Sequence, residues 1–233
     1  MTATQRRERD RRLRHELIVR TARDLAEAEG WDAVTTRRLA GRVEYSQPVL
    51  YSHFENKDAI VRAVAIEGFA GLAAQLRAAR VAAPSRDAAV RAVAQAYLDF
   101  AAAQPALYEA MFSLPIDVRF ASPGQTPQPL QDAFAQLADV VAPHRSAAGE
   151  EPETTGMPPV AGTGAAVVTQ TAESAESAES AESADAGTLA ELLWSSLHGL
   201  VTLTRRGRLP AERQPARLDL LLTRLTGAQP PAP

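Results

Sequence analysis

The 233-residue sequence predicts an all-α chain, a three-helix helix-turn-helix unit followed by a larger C-terminal helical part. Three observations carry this. Apolar residues recur with helical spacing in one segment after another. Capping residues, glycines and prolines punctuate those segments. No stretch carries a strand signal. With 45% hydrophobic residues the chain can bury a real core in one or two domains.

Leu13, Leu17, Ile18, Thr21, Ala22 and Leu25 define the first amphipathic helix, which ends near Gly30, a C′-type residue. Thr35 opens a second, short helix over 35–43. Glu44 and Tyr45 link it to a third, for which Ser46 is the N-cap. A fourth begins at Asn56 or Lys57 and runs through Ile60, Val64 and Phe69 to about Arg80. After a break at 83–85, residues 86–103 are helical. Gln104 and Pro105 end that helix, and P-A-L-Y-E-A-M-F starts a short one with proline in its first turn. A proline-rich loop is expected over 115–129 and a helix over 130–141. From Pro143 to Gly187 the pattern dissolves into G-M-P-P and four copies of A-E-S. Glutamate at every third position leaves no apolar face, so a disordered acidic linker is expected over 143–186. An isolated Ala/Glu helix is the alternative. Two leucine-rich helices, 188–205 and 211–226, close the chain.

Composition narrows the chemistry. Without cysteine there is neither a disulfide framework nor a thiolate metal site, which fits a reducing, cytoplasmic setting. The four histidines (15, 53, 144, 198) are scattered, so no metal or other cofactor is expected. Catalytic signatures such as G-x-S-x-G and H-E-x-x-H are missing, and Ser195 and His198 have no third orienting group, so no enzyme is expected. No apolar run approaches the roughly 18 residues of a membrane span, and the charged N-terminus leads into no signal-like core, so no membrane partner is expected. Residues 1–23 carry eight arginines against Glu8, Asp10 and Glu16, a basic arm on an otherwise acidic chain. That asymmetry points to a polyanion at one end; the plain alternative is a solvated helix start.

The stretch S-Q-P-V-L-Y-S-H-F-E-N-K (46–57) holds the chain's single lysine. A short helix, a tight turn and another short helix form a helix-turn-helix. With Ser46 as N-cap, Pro48 is the second helical residue, where its missing N–H costs nothing, and the Ser46 hydroxyl is expected to accept from the Val49 amide. Leu50 and Phe54 face the core with Leu39 and Val43. Gln47, Val49, Tyr51, Ser52 and His53 are left to face outward. Glutamine can pair with adenine, a valine methyl can meet a thymine methyl, and Tyr51 and Lys57 can contact phosphates. With Thr35, Thr36, Arg37, Ser46 and Pro48 around the turn, these are the candidate contacts to double-stranded DNA.

T-T-R-R-L-A and S-Q-P-V-L-Y-S-H-F-E-N-K resemble the T-x-x-x-[IL]-A and S-x-x-x-[LV]-Y-x-[HY]-F-x-x-K patterns of the TetR/AcrR family of bacterial transcription regulators. The likeness covers residues 11–71. Glu44 departs from it, standing where the family's turn usually has glycine; a positive φ there would strain the backbone. The resemblance implies an all-α homodimer in which each subunit joins a DNA reader to a ligand-binding and dimerisation domain, with a small-molecule effector switching affinity for a pseudo-palindromic operator. On that basis residues 1–10 are the basic arm, 11–71 the reader, and 72–142 with 187–227 the body. The implied role is a ligand-responsive repressor; a constitutive DNA-binding regulator without a ligand is the alternative. W-S-S-L-H-G resembles a Trp-x-x-x-His-Gly motif found in a subclass of TetR C-terminal domains. Trp194 and His198 lie one turn apart, either packed in the core or lining a pocket with Tyr97, Phe100, Tyr108, Met111 and Phe112. The leucines of the last two helices are core or subunit interface, and the resemblance favours interface.

Overall fold

A computed structural model describes residues 2–114, 126–142 and 165–226, the last stretch without side chains over 165–184. The described residues form helices α1 (Ala3–Glu29), α2 (Thr36–Val43), α3 (Gln47–His53), α4 (Lys57–Ala82), α5 (Arg86–Ala103), α6 (Pro105–Phe112), α7 (Gln128–Val141), α8 (Ala165–Arg205) and α9 (Gln214–Thr226). Short 3₁₀ turns, Trp31–Ala33 and Ala211–Arg213, precede α2 and α9.

Local chemistry sets the ends. The Thr2 hydroxyl accepts from the Gln5 amide while the Gln5 side chain accepts from the Thr2 amide, a reciprocal cap that starts α1. The basic arm expected over 1–10 is therefore largely the first turns of α1. Gly30 ends that helix at φ 83. Thr35, Asn56 and Ser85 cap α2, α4 and α5 through their side chains.

Ile18, Val19, Ala22 and Leu25 of α1 pack with Leu39 and Val43 of α2, Leu50 of α3 and Ile60 and Val64 of α4, and this small core holds the three-helix unit together. Helix α4 then runs on into the body, where α5, α6 and α7 surround it. By length and composition α4 could cross a membrane, its most apolar window having a mean hydropathy of 1.5, contrary to the expectation that no segment would come close. Its place explains the composition, because Ala65, Phe69, Leu72 and Leu76 are buried among its neighbours.

Two expectations meet corrections. Residues 165–186 are part of α8 instead of an irregular linker. Alanine and glutamate are good helix formers, and a helix already nucleated by packing extends at low cost where no apolar face exists. Among the described side chains of α8, Ala190, Leu193, Leu197 and Val201 pack in the core. Residues 143–164 lie outside the described residues, as does 115–125 of the proline-rich loop; α7 starts at Gln128, two residues earlier than expected.

Candidate functional site

Helix α2, its turn and α3 form the helix-turn-helix. Glu44 sits in the left-handed region at φ 57 and ψ 33, as the turn required, and the amides of Glu44 and Tyr45 both bond the Ala40 carbonyl. A side chain there costs about 1–2 kcal/mol relative to the right-handed conformation. Ser46 is the N-cap of α3, but its hydroxyl does not cap. The Val49 amide instead bonds the Ser46 carbonyl at 3.0 Å. A tight first turn around Pro48 thus satisfies that donor through the backbone and leaves the hydroxyl at the surface.

The faces of α3 divide as expected. Leu50 and Phe54 are buried, with Phe54 stacked on the His15 ring at 4.5 Å. Gln47, Pro48 and Ser52 are exposed, Tyr51 is 51% exposed, and Val49 and His53 are half-buried. Ser52 donates to the Val49 carbonyl at 2.7 Å, so its proton is held within the helix. The His53 pKa is lowered, first by burial and then by Arg11, His15 and Arg14. Thr35 caps α2 through the Arg38 amide, Thr36 is half-buried, and Arg37 is exposed. Arg37 makes no ion pair among the described residues, whereas Arg38 and Arg42 are both held by Glu29, at 2.8 and 3.1 Å.

Lys57, a candidate phosphate contact, has a partner within the reader. Its ammonium donates to the Trp31 carbonyl at 2.7 Å and is half-buried. Trp31 in turn donates its indole N–H to the Ala106 carbonyl at 2.8 Å, and the Glu27 carboxylate accepts from the Ala106 and Leu107 amides at 3.1 and 2.8 Å. Lys57, Trp31 and Glu27 thus fasten the reader to the start of α6. Sequence reading missed Trp31 and Glu27, because an acid on one helix capping another 79 residues away leaves no local pattern.

In the body, Tyr97, Phe112 and Trp194 line a cavity of about 10 Å³ together with Phe69, Leu130 and Phe134. That is room for one water at most. Tyr108 and His198 belong to a hydrogen-bonded chain beside it. The Tyr97 hydroxyl lies 3.0 Å from the Tyr108 hydroxyl, itself 2.7 Å from His198 Nδ1. His198 Nε2 lies 3.4 Å from the Thr202 hydroxyl. Burial raises Tyr97 to about 12, raises Tyr108 further, and lowers His198. Phe100 and Met111 do not line the cavity. Met111 fills the space left by a glycine on α4, where a Cβ at Gly68 would meet its Sδ at 2.7 Å, and Phe100 packs beside Gly71 at ordinary contact distance.

Residues 18–64 match the family profile "Bacterial regulatory proteins, tetR family", and residues 90–227, more than half the chain, match "Tetracyclin repressor-like, C-terminal domain". The chain belongs to the TetR family. Among curated relatives it is 46% identical over 54 residues to tetracycline repressor protein class C of Escherichia coli, covering 23% of this chain and 25% of that one. It is 34% identical over 98 residues to the uncharacterized HTH-type transcriptional regulator YobS of Bacillus subtilis, covering 42% and 51%. The matches therefore span between a quarter and about half of these relatives' lengths. Two solved structures share the fold: a protein of unknown function from Rhodococcus sp. RHA1 (TM-score 0.59, 22% identity, 91% and 95% of the chains covered) and a tetR-family regulatory protein from Rhodococcus RHA1 (0.54, 15%, 93% and 98%). Both profiles, and the curated relatives matched, are those of TetR-type regulatory proteins.

Proposed function

We propose that this TetR-family regulator is a cytoplasmic, ligand-responsive repressor that binds a pseudo-palindromic operator as a homodimer. Residues 11–71 are the reader, and 72–142 with 187–227 the body. The observation that carries the reading is the division of α3: Leu50 and Phe54 anchor it while Gln47 and Tyr51 stand free at its outer face, the arrangement a helix needs to enter a major groove. Responsiveness is supported by α6, which carries Tyr108 and Phe112 against the His198 chain and is tied at its start to Glu27 and Trp31 of the reader. An effector that opened the cavity would displace α6 and shift the reader only as far as its affinities for the two arrangements differ. The small cavity gives specific support to the second reading, a constitutive regulator without a ligand.

The test is to select duplexes from a random pool and titrate wild type and Gln47→Ala on the selected and scrambled sequences. Gln47→Ala is expected to lose about 1–3 kcal/mol on the selected duplex and little on the scrambled one. Equal loss on both would remove α3 from the base edges.

A further inference from the structure

The first turns of α1 run ahead of the packed reader. Every residue from Thr2 to Arg14 is exposed, and the buried face of α1 begins only at Ile18. Along those turns stand Arg6, Arg7, Arg9, Arg11, Arg12 and Arg14, opposed by Glu8 and Asp10 alone. Many arginines of the body and of α2 are occupied: Arg38 and Arg42 by Glu29, Arg80 by Asp139, Arg91 by Asp219. In the overhang the one ion pair among the described residues is Arg12 with Glu16, at 3.5 Å and well exposed on both sides. Such a pair contributes little and leaves the guanidinium available.

The overhang does not simply point into solvent. A cleft of about 660 Å³ separates it from the end of α3, with Arg9, Arg11, Arg12 and His15 on one wall and His53, the last residue of α3, on the other. Helix α3 is the element whose outer face carries Gln47 and Tyr51, so the cleft continues the face proposed to meet DNA. Duplex DNA presents one negative charge per roughly 1.7 Å of axis, a density that few other partners offer to a row of arginines on a rigid helix.

We propose that this cleft is a second DNA contact, seating the sugar–phosphate backbone of the strand that borders the groove entered by α3 through Arg9, Arg11 and Arg12. It rests on the reading of α3 above. It adds affinity and no sequence preference, because phosphates carry no base information. Glu8, on the same wall, opposes the phosphate and weakens the grip.

The experiment titrates wild type, R9Q/R11Q/R12Q, R9K/R11K/R12K and E8Q on a selected and a scrambled duplex at several salt concentrations, with thermal unfolding in parallel. The glutamine variant is expected to weaken binding roughly tenfold or more on both duplexes alike and to make the salt slope shallower by about one to three units, one for each phosphate released. The lysine variant should keep most of the slope, and E8Q should bind both duplexes more tightly. An unchanged slope in the glutamine variant, a loss confined to the selected duplex, or a fall in melting temperature that tracks the loss of affinity would overturn the proposal. If wild type binds neither duplex at low salt, the reading of α3 falls as well. If wild type binds and the glutamine variant matches it, only the cleft contact falls.

Discussion

At the residue scale, the chain from Tyr97 to Thr202 can be assigned by counting donors. Tyr97 is buried and its hydroxyl bonds the Tyr108 hydroxyl, so its proton goes to Tyr108. Tyr108 then donates to His198 Nδ1, and the imidazole proton sits on Nε2 toward Thr202. Only this arrangement leaves no donor stranded. It requires a neutral His198, in keeping with a pKa lowered by burial from the ordinary 6.5. A second ring proton would meet the Tyr108 hydroxyl proton head-on. The groups facing the ring are Tyr108, Thr202 and Phe112, with Arg205 over the Tyr108 ring, so no carboxylate among the described residues is placed to stabilise the imidazolium. Because the folded-state pKa lies below the unfolded one, the unfolded chain takes up the proton first. The contribution is complete above about pH 6.5 and is lost as pH falls toward the folded-state value. Wild type is therefore expected to lose melting temperature between pH 7.5 and 5.5. His198→Asn, whose side-chain oxygen can take the place of Nδ1, should lose less over the same range. His53 shifts in the same direction, so the difference between the two proteins is the measure. Parallel curves would show that His198 is not the titrating group.

At the element scale, α8 has two parts. Its later part is core: Ala190, Leu193, Leu197 and Val201 are buried. The A-E-S repeats of 172–183 bring helix-forming residues without an apolar stripe, so they lack the face whose packing supplies most helical stability. The acidic turns are then helical as an extension of the packed part. Ala184→Pro, which breaks that extension just ahead of the packed turns, should remove the helical circular-dichroism signal of 165–183 while leaving the cooperative unfolding of the body nearly unchanged. Retained ellipticity would mean that the segment holds its helix through contacts of its own. Failure of the body to unfold at its usual temperature would mean that the acidic turns brace the core.

At the scale of the whole molecule, what was legible in the sequence follows a physical line. Helices with an apolar stripe and a cap, such as α2 with Thr35 or α5 with Ser85, were readable because both signals are local. The division of α3 was readable for the same reason, and so was the strain at Glu44. What was not readable depends on distant partners: Lys57 turning to the Trp31 carbonyl, Glu27 capping α6, and the Gly68 gap that draws Met111 away from the cavity. The leucines of the last two helices show the same limit. Leu197, Leu218 and Leu222 are core, while Leu192, Leu203 and Leu220 remain exposed, Leu220 by 59%. Leu192 and Leu203 lie three turns apart on one side of α8, and Gly199 between them has open space where a side chain would stand. That is the shape of a surface another helix could approach closely, and α9 adds Leu220 with Arg217 and Arg224 one turn away on either side. A two-fold interface places every such residue in the contact twice. Leu220→Glu thus introduces two carboxylates, one from each subunit, into an apolar patch and should split the proposed dimer. Sedimentation should move from a dimer to a particle near the 24.9 kDa chain mass, while melting of the monomer changes little because Leu220 has no place in the core. Affinity for a palindromic duplex should fall by about two orders of magnitude or more, since the second reader is no longer held at high effective concentration. Affinity for a single half-site should stay where it was. A wild-type chain that sediments as a monomer at micromolar concentration would defeat the paired-reader arrangement outright, and the half-site would then be the whole operator.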